Sequence, residues 1–152
     1  MALVGEVIKS AIQTVGRLQS QKDHSQNQKQ VLKKLLKTAQ HSDFGKHYNF
    51  QGILKENNLI SRFKDKIPYF DYDKIYKEWW YRVHRGETDV TWVGEPHYFA
   101  LSSGTTGKES KRIPVTEDML DSIRKAGLKQ VLSLKNFDLP ADFFEKDILM
   151  LG

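Results

Sequence analysis

A chain of 152 residues, 39% hydrophobic and 28% charged, is long enough to bury a core of its own, and its lack of cysteine excludes disulfides and thiolate metal sites. No apolar run is long enough to span a bilayer, and Glu6 and Lys9 break the N-terminus before it reads as a secretory signal, so no membrane partner is expected and a reducing cytoplasm is the expected location. The net charge of +5 is spread without a block of like charge, which biases the chain toward small anionic ligands rather than nucleic acid.

Val4, Ile8, Ala11, Val15 and Leu18 recur at helical spacing and predict a first helix with that face buried. Gln19 to Gln30 is wholly polar, either an exposed turn or the wet end of a helix whose apolar stripe is Val31, Leu32, Leu35, Leu36 and Ala39. Asp43-Phe44-Gly45-Lys46 breaks that pattern, with Gly45 free to take positive φ at a turn. Phe50 to Leu59 allows a short helix, and Pro68 ends whatever precedes Ile67. Asp71 is placed to cap a helix carrying Ile75, Trp79 and Val83 on one face, and Gly86 to stop it. His97 to Leu101 then reads as a strand, Lys111 to Val115 as a second, and Thr116 as the N-cap of a helix with Leu120, Ile123, Gly127, Val131 and Leu134 on its apolar face. Asp147 to Gly152 has the pattern of a buried strand, and an ending inside such a strand reads as a truncation.

Chemistry concentrates between the two strands. Gly104 and Gly107 allow a tight backbone turn whose N–H groups form an anion nest. Ser102, Ser103, Thr105 and Thr106 add hydroxyl donors, and Lys108 and Lys111 add positive charge. This suits a polyphosphate, although a Ser/Gly/Thr segment between strands is also the composition of a plain hairpin turn. The nucleoside-triphosphate loop G-x-x-x-x-G-K-[ST] is not met: Gly104 and Gly107 stand too close, and Glu109 follows Lys108.

The segment Ser102-Ser103-Gly104-Thr105-Thr106-Gly107 resembles the phosphate-binding signature of the adenylate-forming superfamily of acyl-CoA synthetases and luciferases. Lys111 four residues on, followed by Ile113-Pro114, is similar to one branch of it, the auxin-responsive (Gretchen-Hagen-type) acyl-acid amido synthetases and their bacterial-type members. Phe44-Gly45-Lys46-His47-Tyr48, Ile67-Pro68 with Asp71-Tyr72, Arg85-Gly86-Glu87 and Phe99-Ala100 resemble the N-terminal region of the same branch. The resemblance implies an α/β fold: a mainly helical region over residues 1–96, then strand, loop, strand, helix and strand over 97–152. Together these would form the N-terminal part of a larger adenylate-forming domain.

It also implies a ligase that adenylates a carboxylic acid with ATP and Mg²⁺ and passes the acyl group to an amine, normally an amino acid. Ser102, Ser103, Gly104, Thr105, Thr106, Gly107 and Lys108 would then bind the nucleotide phosphates, and Lys111 would make the catalytic charge contact. The Gly107-Lys108 pair departs from the residues common in that branch, which keeps open a loop without ligand. The other rivals are a coenzyme A-using enzyme of the same superfamily and a nucleic-acid-binding module. Residues 1–152 alone are expected to be inactive, with the remaining pockets on later sequence. Trp79-Trp80-Tyr81 reads as core rather than a base-stacking platform. His24, His41, His47, His84 and His97 have no metal-ligand spacing, and Glu87 reads as a turn or salt-bridge residue.

Overall fold

The computed structural model describes residues 3–18, 24–102 and 110–146. The described residues are mostly helical, with one two-stranded antiparallel sheet among them, as fits the N-terminal part of an α/β protein. Among the described residues no helix is long and apolar enough to cross a membrane. The chain forms two compact units, Lys22–Leu120 and Met1–Gln21 with Asp121–Gly152.

The larger unit begins with α2 (His24–Ala39), so the polar residues from His24 to Gln30 are the opening turns of a helix. Only part of the expected stripe is inside: Leu36 and Ala39 are buried and Leu32 partly so, while Val31 and Leu35 are exposed. α2 packs on α4 (Phe50–Leu54) and α5 (Leu59–Lys66), and Phe50, Ile53 and Leu59 complete this first core. One helix was expected from Phe50 to Leu59, and two are found. Asn58 accepts from Ser61 N at 3.3 Å and starts α5 afresh, so the chain turns where a continuous helix would have pointed Lys55 and Glu56 onward. α5 ends at Lys66 with Ile67 extended, as the following proline demands.

Between α2 and α4 lies α3 (Asp43–His47), where a turn was expected. Its N-cap is Ser42, which is fully buried. The Ser42 hydroxyl donates to Ala39 O at 2.7 Å and accepts from Gly45 N at 3.1 Å, and Ser42 N also donates to Ala39 O, at 3.0 Å. Gly45 is therefore helical and does not use positive φ. It is needed because a Cβ there would stand 2.0 Å from Ala39 O. The next two donors of α3 are satisfied at long range: Asp43 N and Phe44 N each reach, at 2.8 Å, the carbonyls of Asp89 and Val90.

Asp71 accepts from Lys74 N at 2.8 Å and caps α6 (Tyr72–Ile75), which runs through a π-helical turn, Tyr76–Trp80, into α7 (Tyr81–Val83). Trp79 and Val83 are buried with Val90 in a second core, and Ile75 and Trp80 pack against it half-buried, so the expected helical face is the one observed. Phe44 and Tyr48 pack against both cores, with the Phe44 ring 4.7 Å from Tyr48 and 5.0 Å from Trp79. Gly86 stops α7 at φ +83°, with Gly86 N bonded to Val83 O and Glu87 N to Arg82 O. Glu87 is an ion-pair residue: Arg82 Nε reaches Glu87 at 2.7 Å, and Arg82 Nη2 reaches Asp43 at 2.7 Å. The hydrogen bonds to Asp43 and then Glu87 raise the Arg82 pKa above its usual value, so it stays charged at any accessible pH.

Tyr48 carries a pH signature. Burial, and then the charge of Glu78, raise its phenol above the ordinary value of 10.0. A raised folded-state pKa means that stability is fully present below pH 10 and falls as pH rises through the folded value. Urea midpoints measured from pH 8 upward are expected to drop beyond pH 10, and Tyr48→Phe is expected to flatten part of that drop.

In the smaller unit, α1 (Leu3–Leu18) does not bury the face its apolar spacing predicted. Val4 is 65% and Val15 46% exposed, whereas Ile12 is 6% exposed between buried Gly5 and Gly16. The reason is close approach. A Cβ on Gly5 would lie 2.1 Å from Ala141 O, and Gly5 N donates to Glu145 Oε1 at 2.9 Å. Gly16 O accepts from the Lys135 ammonium, and the aliphatic stem of that lysine lies against the glycine's open side. The helix thus docks by its small-residue side onto 3₁₀ turns at Leu134–Asn136 and Ala141–Glu145. The apolar face expected of α8 (Glu117–Ser133) is likewise outside at Ile123 and Val131, and Leu132 is its buried residue. The strand expected over residues 147–152 lies outside the described residues.

Candidate functional site

The two strands expected around the Ser/Gly/Thr loop are β1 (Tyr98–Leu101) and β2 (Arg112–Val115), paired antiparallel from Tyr98 opposite Val115 to Leu101 opposite Arg112. Pro114 stands opposite Phe99, out of step with the hydrogen-bonded pair Ser102–Lys111, so a residue without an N–H breaks no bond to β1 there. Thr116 accepts from Met119 N at 3.2 Å and starts α8, as its sequence position predicts. Trp92 Nε1 donates to Asp118 at 3.1 Å and ties the loop after α7 to the first turn of α8.

Two of the sequence-predicted site residues meet at the mouth of the loop. Ser102 N donates to Lys111 O at 3.0 Å, and Lys111 N donates to Ser102 Oγ at 3.3 Å. These bonds extend the ladder one step past the strands and fix where the loop leaves and rejoins the sheet. In this bond the Ser102 Oγ is the acceptor. Ser103, Gly104, Thr105, Thr106, Gly107 and Lys108 lie outside the described residues.

The base of the loop rests on aromatic residues that the sequence alone does not assign to the site. The Lys111 ammonium stands 5.0 Å from the centre of the Tyr72 ring. The Tyr72 hydroxyl accepts from Arg112 N at 3.1 Å. His84 Nε2 lies 3.2 Å from Arg112 O, so it carries the proton in this contact. The Arg112 guanidinium lies 5.2 Å from the centre of Phe99, whose ring meets His84 edge to face at 4.8 Å. Tyr72 is itself stacked on Tyr76 at 5.9 Å and set edge to face on Trp80 at 6.0 Å. Both backbone groups of Arg112 are thus held by side chains of the α6–α7 segment, Tyr72 at its start and His84 just past its end. His97, at the approach to β1, is exposed.

Ser102 and Lys111, bonded to each other at the ends of the two strands, carry a hydroxyl and an ammonium, group types that suit an anion. Among the described residues no three His, Asp or Glu side chains cluster to hold a metal ion. Tyr72 stands beside its capping Asp71 in the sequence, but its tie to Arg112 spans 40 residues and leaves no local pattern.

Compared with known proteins, the chain matches the family model described as the GH3 family N-terminal domain over residues 17–151. No curated protein and no solved structure matches it. The match takes in both cores, the hairpin, the whole Ser102–Lys111 loop and the first helix after it, so the chain belongs to the GH3 family, the auxin-responsive family of acyl-acid amido synthetases, which are ligases.

Proposed function

We propose that the protein carrying this chain joins a carboxylic acid to an amine, normally an amino acid, at the expense of ATP, and that the Ser102–Lys111 loop grips the nucleotide phosphates. The observation that supports this reading most is the pairing of Ser102 with Lys111 where the segment leaves and rejoins the sheet, with the Lys111 ammonium set over the Tyr72 ring. In the chemistry proposed, the acid's carboxylate displaces pyrophosphate from ATP, and the amine then displaces AMP to give the amide. Lys111 offsets the charge that builds as pyrophosphate leaves, and Ser102 donates to a phosphate oxygen. Ser103, Thr105, Thr106 and Lys108 would add donors, and Gly104 and Gly107 would let the backbone approach the phosphates. Mg²⁺ is expected to arrive on the nucleotide, bound by its phosphates.

The same proposal places residues 1–152 in the N-terminal part of an adenylate-forming domain of a bacterial-type member, working in a reducing cytoplasm. The acceptor decides between this and a coenzyme A-using relative. The complete gene product, given ATP, Mg²⁺, a panel of carboxylic acids and either amino acids or coenzyme A, is expected to release AMP with an amide as product by mass spectrometry. A thioester formed with coenzyme A in place of any amide would overturn the amine assignment.

A further inference from the structure

Lys111 is the residue on which the charge contact depends, yet it is a long, flexible side chain beside a glycine-rich loop. What holds it is visible in the larger unit. Its ammonium stands 5.0 Å from the centre of the Tyr72 ring, within the range of a cation–π contact. The Tyr72 hydroxyl accepts from the N–H of Arg112, the next residue along the backbone, at 3.1 Å. One side chain therefore grips both the head of Lys111 and the peptide that follows it. The ring is not free to wander: it is stacked on Tyr76 at an interplanar angle of 22° and set against Trp80 at 70°. Its backbone begins a helix capped by Asp71.

We infer that Tyr72 is a positioning residue for the proposed phosphate contact, holding the Lys111 ammonium at the mouth of the loop through its ring and setting the start of β2 through its hydroxyl. This rests on the phosphate-binding reading of the loop. The physical gain is entropic: a lysine already ordered before the anion arrives loses fewer rotamers on binding it. The ring and the hydroxyl are separable, because Tyr72→Phe keeps the first and removes the second, while Tyr72→Leu removes both. The Lys111 contact should follow the ring.

The test uses the complete gene product and inorganic pyrophosphate as the probe. Calorimetric affinities are measured for the unsubstituted protein, Tyr72→Phe, Tyr72→Leu, Lys111→Ala and the double variant Tyr72→Leu/Lys111→Ala. Tyr72→Leu is expected to weaken pyrophosphate binding about two- to tenfold, the cost of ordering one long side chain. Tyr72→Phe is expected to recover most of that loss, and Tyr72→Leu to cost nothing further once Lys111 is alanine. In parallel, lysines are ¹³C-methylated and the Lys111 signal is assigned by its loss in Lys111→Arg. Its upfield ring-current shift should persist in Tyr72→Phe and vanish in Tyr72→Leu. An equal loss from Tyr72→Leu with and without Lys111 would mean a merely structural role and overturn the inference. So would affinity that depends on Lys111 but ignores Tyr72, while the phosphate reading would stand. Absence of pyrophosphate binding by the folded, unsubstituted protein overturns both, and the ring-current shift then reports only a packing contact.

Discussion

Replacing Gly45 with alanine is expected to destabilise the protein by roughly 3 kcal/mol or more, near the upper end for a single added methyl group. The new Cβ would lie 2.0 Å from the Ala39 carbonyl oxygen and 2.9 Å from its carbon, and both are backbone atoms. Backbone there has little freedom to retreat, because the same oxygen accepts from Ser42 N and from Ser42 Oγ, and moving it opens a buried cap. Ser42 is wholly inside, so bonds lost there are not replaced by water. The damage should spread beyond α3, whose first donors hold the Asp89 and Val90 carbonyls beside the second core. Gly127, in the interior of α8, has open space within 4 Å of the position a methyl group would take, and Gly127→Ala should stabilise by about 0.5–1 kcal/mol through helix propensity alone. Thermal unfolding separates the two. The Gly45 variant should melt roughly 10 °C lower and the Gly127 variant slightly higher. A Gly45 variant that melts with the parent would mean that α3 does not pack against the end of α2 as described.

Lys111→Ala should leave folding nearly intact and remove most of the activity. Lys111 is exposed; it makes two backbone bonds with Ser102, which alanine keeps, and its side chain meets the ring of Tyr72. In the proposed reaction its ammonium faces the oxygens on which charge develops as pyrophosphate departs. Loss of one well-placed donor to developing charge commonly costs about 10²- to 10³-fold in rate. A fall of about 10²-fold in the maximal rate of amide formation, with the melting temperature unchanged, is the expected result. Arginine at the same position keeps the charge but not the compact head, and should recover only part of the loss. A Lys111→Ala protein with full activity would move the charge contact to another residue.

Local chemistry made a good part of this structure legible. The caps at Asp71 and Thr116, the stop at Gly86 and the strand pair around the loop each follow from a residue acting on its own neighbours, and each stands where its sequence placed it. The inward face of Ile75, Trp79 and Val83 was legible for the same reason, since bulky residues at helical spacing found a core to fill. Helix α1 turns a different face inward than its apolar spacing predicts, because that spacing measures only what a helix gains from burial. Gly5 and Gly16 instead let a neighbour come close enough to bury backbone, and that contact chose the face. Gly45 departs from expectation in a related way: its missing side chain serves a close approach inside a helix and not a positive φ. At the candidate site the sequence brought forward Ser102 and Lys111, which do meet. It did not bring forward Tyr72 and His84, whose bonds to Arg112 cross 40 and 28 residues and follow only from how the helices and the hairpin are assembled.

The proposed activation of a carboxylic acid with ATP is tested most directly by ATP–pyrophosphate exchange by the complete gene product across aromatic and aliphatic carboxylic acids. Labelled pyrophosphate is expected to enter ATP only when a suitable acid is present, without any need for the amine, and at a rate that collapses in Lys111→Ala. Failure of every acid in the panel to support exchange, from folded protein that binds ATP, would contradict it.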